Sequence, residues 1–372
     1  MFPHVSNANY LTLIGILVFL MAGMLMLSRG DSLLDKRRSL GIISILLGLY
    51  VAFWFGSRDE HGYGDTIFYV INYNAIDISA SLSAQTVDIG SEWFFFVIGY
   101  ICRLSGMDYH GYLTVIALVY AMTAVFAAIR FDPSRPYLCT LFIFSSLMFL
   151  GFGLNGLRNG MACHMILLAM AFLLDDRRIT AAIIAFLALG IHRSTILPIS
   201  GIIAAMTVLR DRPRIALGIW CAAIPLSLLF GEAITNIIMS LGYDERMTVY
   251  AGGELEGQDE FSSTGFRWDF LLYSALPIGF YFYVNIVKGL RDGWYNVIAI
   301  TYMLANAFWI IVIRAEFSNR FAYLSWFIYP LMFAYPLANM KIWKNQSTMA
   351  AICLISYYGI TWGLYKFVWN YI

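Results

Sequence analysis

Apolar residues run along the whole chain in long stretches, separated by short polar breaks. The stretches cover residues 11–27, 40–55, 112–129, 137–152, 161–174, 179–191, 195–209, 215–230, 270–287, 297–312, 321–337 and 349–367. A helix crossing a bilayer needs about 20 apolar residues, with roughly 17 as the practical minimum. Several stretches sit near or below that length. Lipid offers the backbone no hydrogen bonds, so such stretches are expected to be helices. The pattern therefore predicts an all-α, polytopic integral membrane protein with about twelve transmembrane helices, built as a single multi-pass domain over residues 1–372. Residues 93–101 are left over. They are too short to cross comfortably and suit a re-entrant or interfacial helix entered through Glu92.

The polar breaks carry an orientation. Short loops rich in Lys and Arg stay on the cytoplasmic side. The breaks at 35–38, 130–135, 175–178, 210–214, 288–291 and 341–344 become cytoplasmic together if residues 93–101 do not cross, and both ends of the chain then face outward. An alternative lets 93–101 cross and makes 137–152 re-entrant, which moves only the 130–135 break outside. The first arrangement is preferred. The opposite side then holds the longer outer loops, 57–91 and 231–265, with the short breaks at 155–160, 192–194 and 314–320. Function is expected on this outer face.

Composition agrees with the pattern. Of 372 residues 60% are hydrophobic and 13% charged, and the mean hydropathy is +0.71. No single water-soluble core could hide that much apolar surface. The net charge of +1 and the lack of a long basic stripe give no reason to expect nucleic acid. The five cysteines all lie inside apolar stretches, as small core residues rather than a disulfide or zinc framework. The first stretch has an uncharged start and the basic cluster Lys36-Arg37-Arg38 behind it, the wrong polarity for a cleaved leader. No Walker loop, GxSxG elbow or HExxH motif is present, so ATP-driven, serine-hydrolase and zinc chemistry lack support, and neither cofactor nor metal is expected.

Charge type sharpens the picture. Four of the five lysines lie in the inner breaks, whereas the outer ones carry Arg58, Arg158, Arg193, Arg246, Arg267, Arg314 and Arg320. Arginine offers phosphate a planar bidentate fork that lysine lacks. The bias fits a site for a phosphorylated ligand, although scarce lysine alone would produce the same count.

Four segments can carry chemistry. Residues 57–69 form a polar and aromatic cluster in which Arg58 can bind phosphate, Asp65 can orient a sugar hydroxyl or an arginine, and Tyr69 supplies an aromatic face. An ordinary solvated loop collects the same residue types. Asn155-Gly156-Leu157-Arg158 opens a helix, placing an arginine at a positive helix end suited to an anion. Arg158 reaching to lipid headgroups is the simpler account. His192-Arg193-Ser194 joins two stretches too short for the hydrocarbon, so this turn is expected to sink below the surface, where His192 can transfer a proton or serve as a structural hydrogen-bonding group. The break at 314–320 brackets Glu316 between Arg314 and Arg320, as a ligand site or an internal ion pair. Glu92 is either a base or a helix-start charge. The loop 231–265, with Asp244, Glu245, Glu254, Glu256, Asp259 and Glu260, reads as an acidic lid better suited to a glycan than to pyrophosphate.

Taken in order, Arg58 with Gly64-Asp65 and Tyr69, Glu92 before an aromatic run, Asn155-Gly156-Leu157-Arg158, His192-Arg193-Ser194 and Arg320 followed by Tyr323 resemble the EpsG family of bacterial exopolysaccharide proteins, which belongs with the Wzy-type polymerases. Where Arg193 stands the family usually has a residue such as lysine. The resemblance implies a glycosyltransferase that joins undecaprenyl-pyrophosphate-linked repeat units on the outer face of the bacterial cytoplasmic (inner) membrane, with the pyrophosphate lipid as leaving group. It also implies lipid-linked glycan donor and acceptor as partners in the membrane, alongside a chain-length regulator protein. Arg158, Arg320, His192 and Glu92 are the candidate catalytic residues, with His192 and Glu92 both open as the base. Arg58, Asp65, Tyr69, Asn155, Arg193, Arg267, Arg314, Glu316 and Tyr323 are the candidate substrate-binding residues. An O-antigen ligase would need the same arginines and differ in acceptor. A lipid-linked glycan flippase would show internal repeats and charges near the midplane; no repeat is visible, and the charges gather at one membrane edge.

Overall fold

The fold is taken from a computed structural model that describes residues 4–27, 37–79, 92–240, 265–314 and 318–368, and among these every regular element is helical. Among the described residues eight helices are long and apolar enough to cross a membrane, which does not confirm the expected count of about twelve. Four more apolar helices are shorter: Gly41–Gly56, Trp93–Leu104, Arg178–Ile191 and Arg193–Met206. Contacts gather the chain into two compact units, residues 1–195 with 333–372 and residues 196–332. The apolar pattern, which suggests one continuous domain, does not mark that division.

The first unit contains α1 (Asn7–Leu27), α2 (Arg37–Gly56), α3 (Thr66–Asn74), α4 (Trp93–Leu104), α5 (Tyr109–Phe131), α6 (Pro136–Phe144), α7 (Phe149–Leu154), α8 (Leu157–Leu174) and α9 (Arg178–Ile191). At its centre α5 packs against α2 and α8, and α8 against α9. Asp108 caps α5, its carboxylate accepting from the Gly111 N–H at 2.8 Å and satisfying one of the donors a helix start leaves open. The far ends of α5 and α8 meet in an ion pair between Arg130 and Asp175. The two helices therefore start together at one end of the unit and finish together at the other.

The expected span 137–152 is not a continuous helix. Residues 137–152 are split into α6, fully buried, and α7, buried at every residue but Gly151, by a break at residues 145–148. A break at this depth must find hydrogen-bond partners inside the protein. Three tyrosine hydroxyls provide them: Tyr10 donates to the Phe144 carbonyl at 2.7 Å, Tyr120 to that of Phe149 at 2.6 Å and Tyr365 to that of Leu147 at 3.0 Å. Because α5 ends beside Asp175 and α8 begins at the opposite end, the broken α6–α7 segment runs the length of the unit between them.

The region expected as the loop 57–91 also contains the helix α3, while residues 80–91 lie outside the described residues. Both ends of α4 lie at the starting end of α5. Its first residues approach His192, and Arg103 near its last turn lies over the Tyr73 ring at 5.6 Å. Tyr73 in turn stacks on Tyr112 in the first turn of α5, ring centres 4.3 Å apart.

The second unit contains α10 (Ile196–Met206), α11 (Pro213–Ser240), α12 (Trp268–Phe282), α13 (Gly293–Ile311) and α14 (Ser318–Trp326). The helix α15 (Tyr329–Asn339) carries the chain back into the first unit, which α16 (Gln346–Gly363) completes by packing on α1. Within the second unit α13 is central and packs on α10, α11 and α14. Residues 231–240 of the expected lid at 231–265 belong to α11, which continues to Ser240. The acidic residues named for that lid, together with Arg246 and Glu316, lie outside the described residues.

Candidate active site

At the starting end of α5 and α8, three charged or titratable side chains far apart in sequence meet. Glu92 stands at the N-cap position of α4, Arg158 in the first turn of α8 and His192 directly after α9. One Glu92 oxygen makes an ion pair with Arg158. The other lies 2.7 Å from His192 Nδ1. All three side chains are mostly enclosed yet reachable, with 23%, 19% and 18% of their surfaces exposed. Such a setting strengthens charge interactions relative to open water and still admits a ligand.

A close helix approach brings Glu92 to His192. Gly190 sits on the last turn of α9, where an added Cβ would stand 2.7 Å from the Trp93 ring and 2.9 Å from Phe94 Cβ. With no side chain there, Trp93 lies on α9, backed by the Phe186 ring at 5.8 Å. The adjacent residue, Glu92, is thereby carried to the turn that holds His192.

A second layer positions Arg158. The Arg158 guanidinium lies over Tyr69 of α3 at 5.9 Å and Phe95 of α4 at 6.0 Å, and those two rings meet edge to face at 5.8 Å. Cation–π attraction holds the guanidinium while leaving its in-plane donors for other partners. The start of α3 is tied to the end of α7, which only Asn155 and Gly156 separate from α8. Asn155 Oδ1 accepts from the Asp65 N–H at 2.6 Å, and the Thr66 hydroxyl donates to the Leu154 carbonyl at 3.1 Å.

Arg58 anchors this layer from below. It is 2% exposed. Its Nε donates to Thr66 Oγ1 at 3.2 Å and its Nη1 to the Phe55 carbonyl at 2.7 Å, while Nη2 has no hydrogen-bond partner among the described residues. Burial pushes its pKa down to about 10, with Tyr63, Tyr69 and Tyr112 acting the other way, so it stays charged at neutral pH.

The first unit thus gathers Arg58, Asp65, Tyr69, Glu92, Asn155, Arg158 and His192 at one end. Arg193 follows His192 in a 3-10 turn and is exposed. The other candidates belong to the second unit. Arg267 is held by Asp269 through two hydrogen bonds, 2.9 and 2.6 Å, and lies over Phe270 at 3.8 Å. Arg314 is half-buried after α13, Arg320 is half-buried in α14, and Tyr323 is buried in the same helix. Sequence reasoning did not single out Gly190, Thr66, Phe95 or Tyr112. Their signal lies only in contacts between helices, which a single sequence does not display.

The EpsG family model matches residues 42–371, nearly the whole chain and every residue of the cluster just described. The chain belongs to the EpsG family. No curated protein and no solved structure matches it. EpsG membership, together with the membrane-length helices, makes this a multi-pass membrane protein of polysaccharide biosynthesis, with polymerase activity of glycosyltransferase type as the general reading. In this EpsG protein Glu92 is engaged by both Arg158 and His192.

Proposed function

We propose that this protein is a polymerase that joins undecaprenyl-pyrophosphate-linked oligosaccharide units at the outer face of the bacterial cytoplasmic membrane, with the Glu92, Arg158 and His192 cluster as the catalytic centre. The observation that carries the reading is the hydrogen bond between His192 Nδ1 and Glu92. Both Glu92 oxygens are engaged, one by His192 and one by Arg158. Glu92 is therefore poorly placed to take a proton itself. A carboxylate accepting from Nδ1–H selects the tautomer whose Nε2 carries the lone pair. His192 is the base, and Glu92 positions it.

In the reaction, an acceptor sugar hydroxyl attacks the anomeric carbon that carries the donor chain. The new glycosidic bond forms as the bond from that carbon to pyrophosphate breaks. The hydroxyl proton goes to His192 Nε2, and the electron pair of the broken bond goes to the departing pyrophosphate lipid. Charge growing on that leaving group is stabilised by fixed donors. Arg158 supplies them with the edge of its guanidinium that Glu92 does not occupy, and buried Arg58 adds positive potential behind Tyr69. The rings of Tyr69, Phe95 and Trp93 offer apolar faces of the kind that pack against sugars. Arg314 and Arg320 belong to the second unit and remain candidates for holding an anionic ligand there.

Orientation follows from charge. In the first unit the end away from the cluster carries Arg130, Arg135, Arg177 and Arg178, so the positive-inside tendency makes it cytoplasmic and the cluster external. On this reading α4, whose two ends lie at the cluster end, does not cross. An external, membrane-level site suits a lipid-linked substrate and leaves the chain-length partner to approach from the same side.

The test is a polymer ladder on a gel from cells lacking the gene and complemented with wild type, His192→Ala, Arg158→Ala or Arg320→Ala, with expression verified. Single units accumulating on lipid at the outer leaflet in the variants support the reading. Units held at the inner leaflet would mean a flippase. Normal polymer that fails to reach its final lipid acceptor would mean a ligase.

A further inference from the structure

A second charged region lies in the other unit. The start of α11, the start of α13 and a π-helical turn at Tyr283–Val287 that ends α12 surround a cleft of about 640 Å³. Three guanidinium groups line it, those of Arg212, Arg214 and Arg291. None of the three side chains makes an ion pair or hydrogen bond among the described residues.

Two carboxylates also line the cleft, and both are engaged. Asp211 accepts from Asn296 Nδ2 at 3.2 Å, and Asp292 caps α13 by accepting from the Tyr295 N–H at 2.7 Å. Asn296 is itself fixed, its Oδ1 accepting from the Tyr281 hydroxyl. The floor of the cleft is thus an ordered polar network, and the acids answer to that network rather than to the arginines. π-turns of this kind recur at functional sites, and here the turn contributes Asn285 and Ile286 to the lining.

The surroundings are apolar and exposed. Ile215 and Ile219, one turn apart on α11, are 47% and 43% exposed, and Ile286 and Val287 on the π-turn are 63% and 69% exposed. Arginines at a cleft mouth with aliphatic side chains leading away match a molecule that has an anionic head and hydrocarbon tails. Basic clusters next to membrane helices attract anionic headgroups. A soluble phosphate would have no use for the aliphatic faces, and an acidic peptide would leave them uncovered.

We propose that this cleft binds the phosphodiester headgroup of an anionic phospholipid, with the acyl chains lying along α11 and the π-turn. The ligand is held by Arg212, Arg214 and Arg291. The site is separate from polymer chemistry and does not depend on it. The basic breaks that form it, residues 210–214 and 288–291, are those that positive-inside counting assigns to the inner leaflet.

The experiment uses the full chain purified in neutral detergent, with the rise in melting temperature followed as phosphatidylglycerol, phosphatidylcholine or inorganic phosphate is added. Phosphatidylglycerol is expected to stabilise saturably, and the other two are not. The triple substitution Arg212→Gln, Arg214→Gln, Arg291→Gln should weaken apparent phosphatidylglycerol affinity by about 100-fold, since each basic group near an anionic surface contributes about five-fold. Arg291→Gln alone should weaken it about five-fold, which covers the case in which the triple variant is poorly recovered. Arg210→Gln, an exposed neighbour that does not line the cleft, should leave it unchanged. Equal stabilisation by phosphatidylcholine, full reproduction of the effect by inorganic phosphate, retained affinity in the cleft variants, or an equal loss in Arg210→Gln would each overturn the proposal.

Discussion

The Asn306 network of the second unit and the Glu92, Arg158 and His192 cluster of the first differ in kind. In the second unit Asn306 is fully buried and accepts from Trp220 Nε1 at 2.7 Å while donating to Ser274 at 3.2 Å and Ser325 at 3.0 Å. Trp326 Nε1 donates to the same Ser274 hydroxyl at 2.8 Å, and the Tyr302 hydroxyl donates to the Ser274 carbonyl. Every member is neutral and the network closes on itself. In the first unit Glu92, Arg158 and His192 are charged or titratable, partly exposed and open on one side. A closed neutral network binds helices together and specifies their register. An open charged one is costly at a membrane edge and is kept where it does work on a ligand.

That contrast can be broken by experiment. The largest effect is expected from His192→Ala, which should lower polymerisation by about 100-fold or more if its imidazole is the base, with the melting temperature near that of wild type. A ladder assay beside a thermal melt reads both. Removing Arg158 with Arg158→Ala should cost about 100- to 1000-fold in rate, and the thermal midpoint should fall as well because Glu92 loses its partner. The Asn306 network should respond in the opposite sense. Asn306→Ala leaves the buried Trp220 Nε1 without its acceptor, at about 1–3 kcal/mol, so stability should drop while turnover per folded molecule changes far less than in His192→Ala. Equal activity loss in the two variants would erase the distinction.

Smaller effects sharpen it. Gly190→Ala places a methyl group against the Trp93 ring, an overpacking worth about 1–3 kcal/mol, and should separate α4 from α9. Activity should then fall more than stability, because the separation falls on the Glu92 to His192 bond; the ladder from Gly190→Ala set against that from the milder Trp93→Phe, Gly190→Ala pair would show whether space at the ring restores function. Smallest of all, Arg193→Lys should change polymer length and yield by less than about threefold, since the residue is exposed and surface charges contribute little. A large loss there would move the catalytic centre toward the 3-10 turn.

Much of this was legible in the chain itself. Long apolar runs fix helical membrane segments, because the hydrocarbon admits no unsatisfied backbone over 20 residues or so. The arginine-bearing breaks, the special place of Glu92 ahead of an aromatic run and the turn at His192 were also visible, as residue types standing where charge is expensive. The family resemblance rested on the same landmarks.

Tertiary structure decided the rest. Whether residues 137–152 form one helix depends on three tyrosines from α1, α5 and the turn after α16, which supply hydrogen bonds no local pattern reveals. The contact between Glu92 and His192, on which the proposed choice of base rests, likewise spans 100 residues. Hydrophobicity reports what a segment avoids, which is water, and so it determines helices and their membrane setting. It is nearly silent on which helix meets which, because helices apolar on most of their surface can pack in many ways. Partner choice is set by close fits such as Trp93 on Gly190 and by hydrogen bonds between side chains and distant backbone, and those exist only once the helices have met.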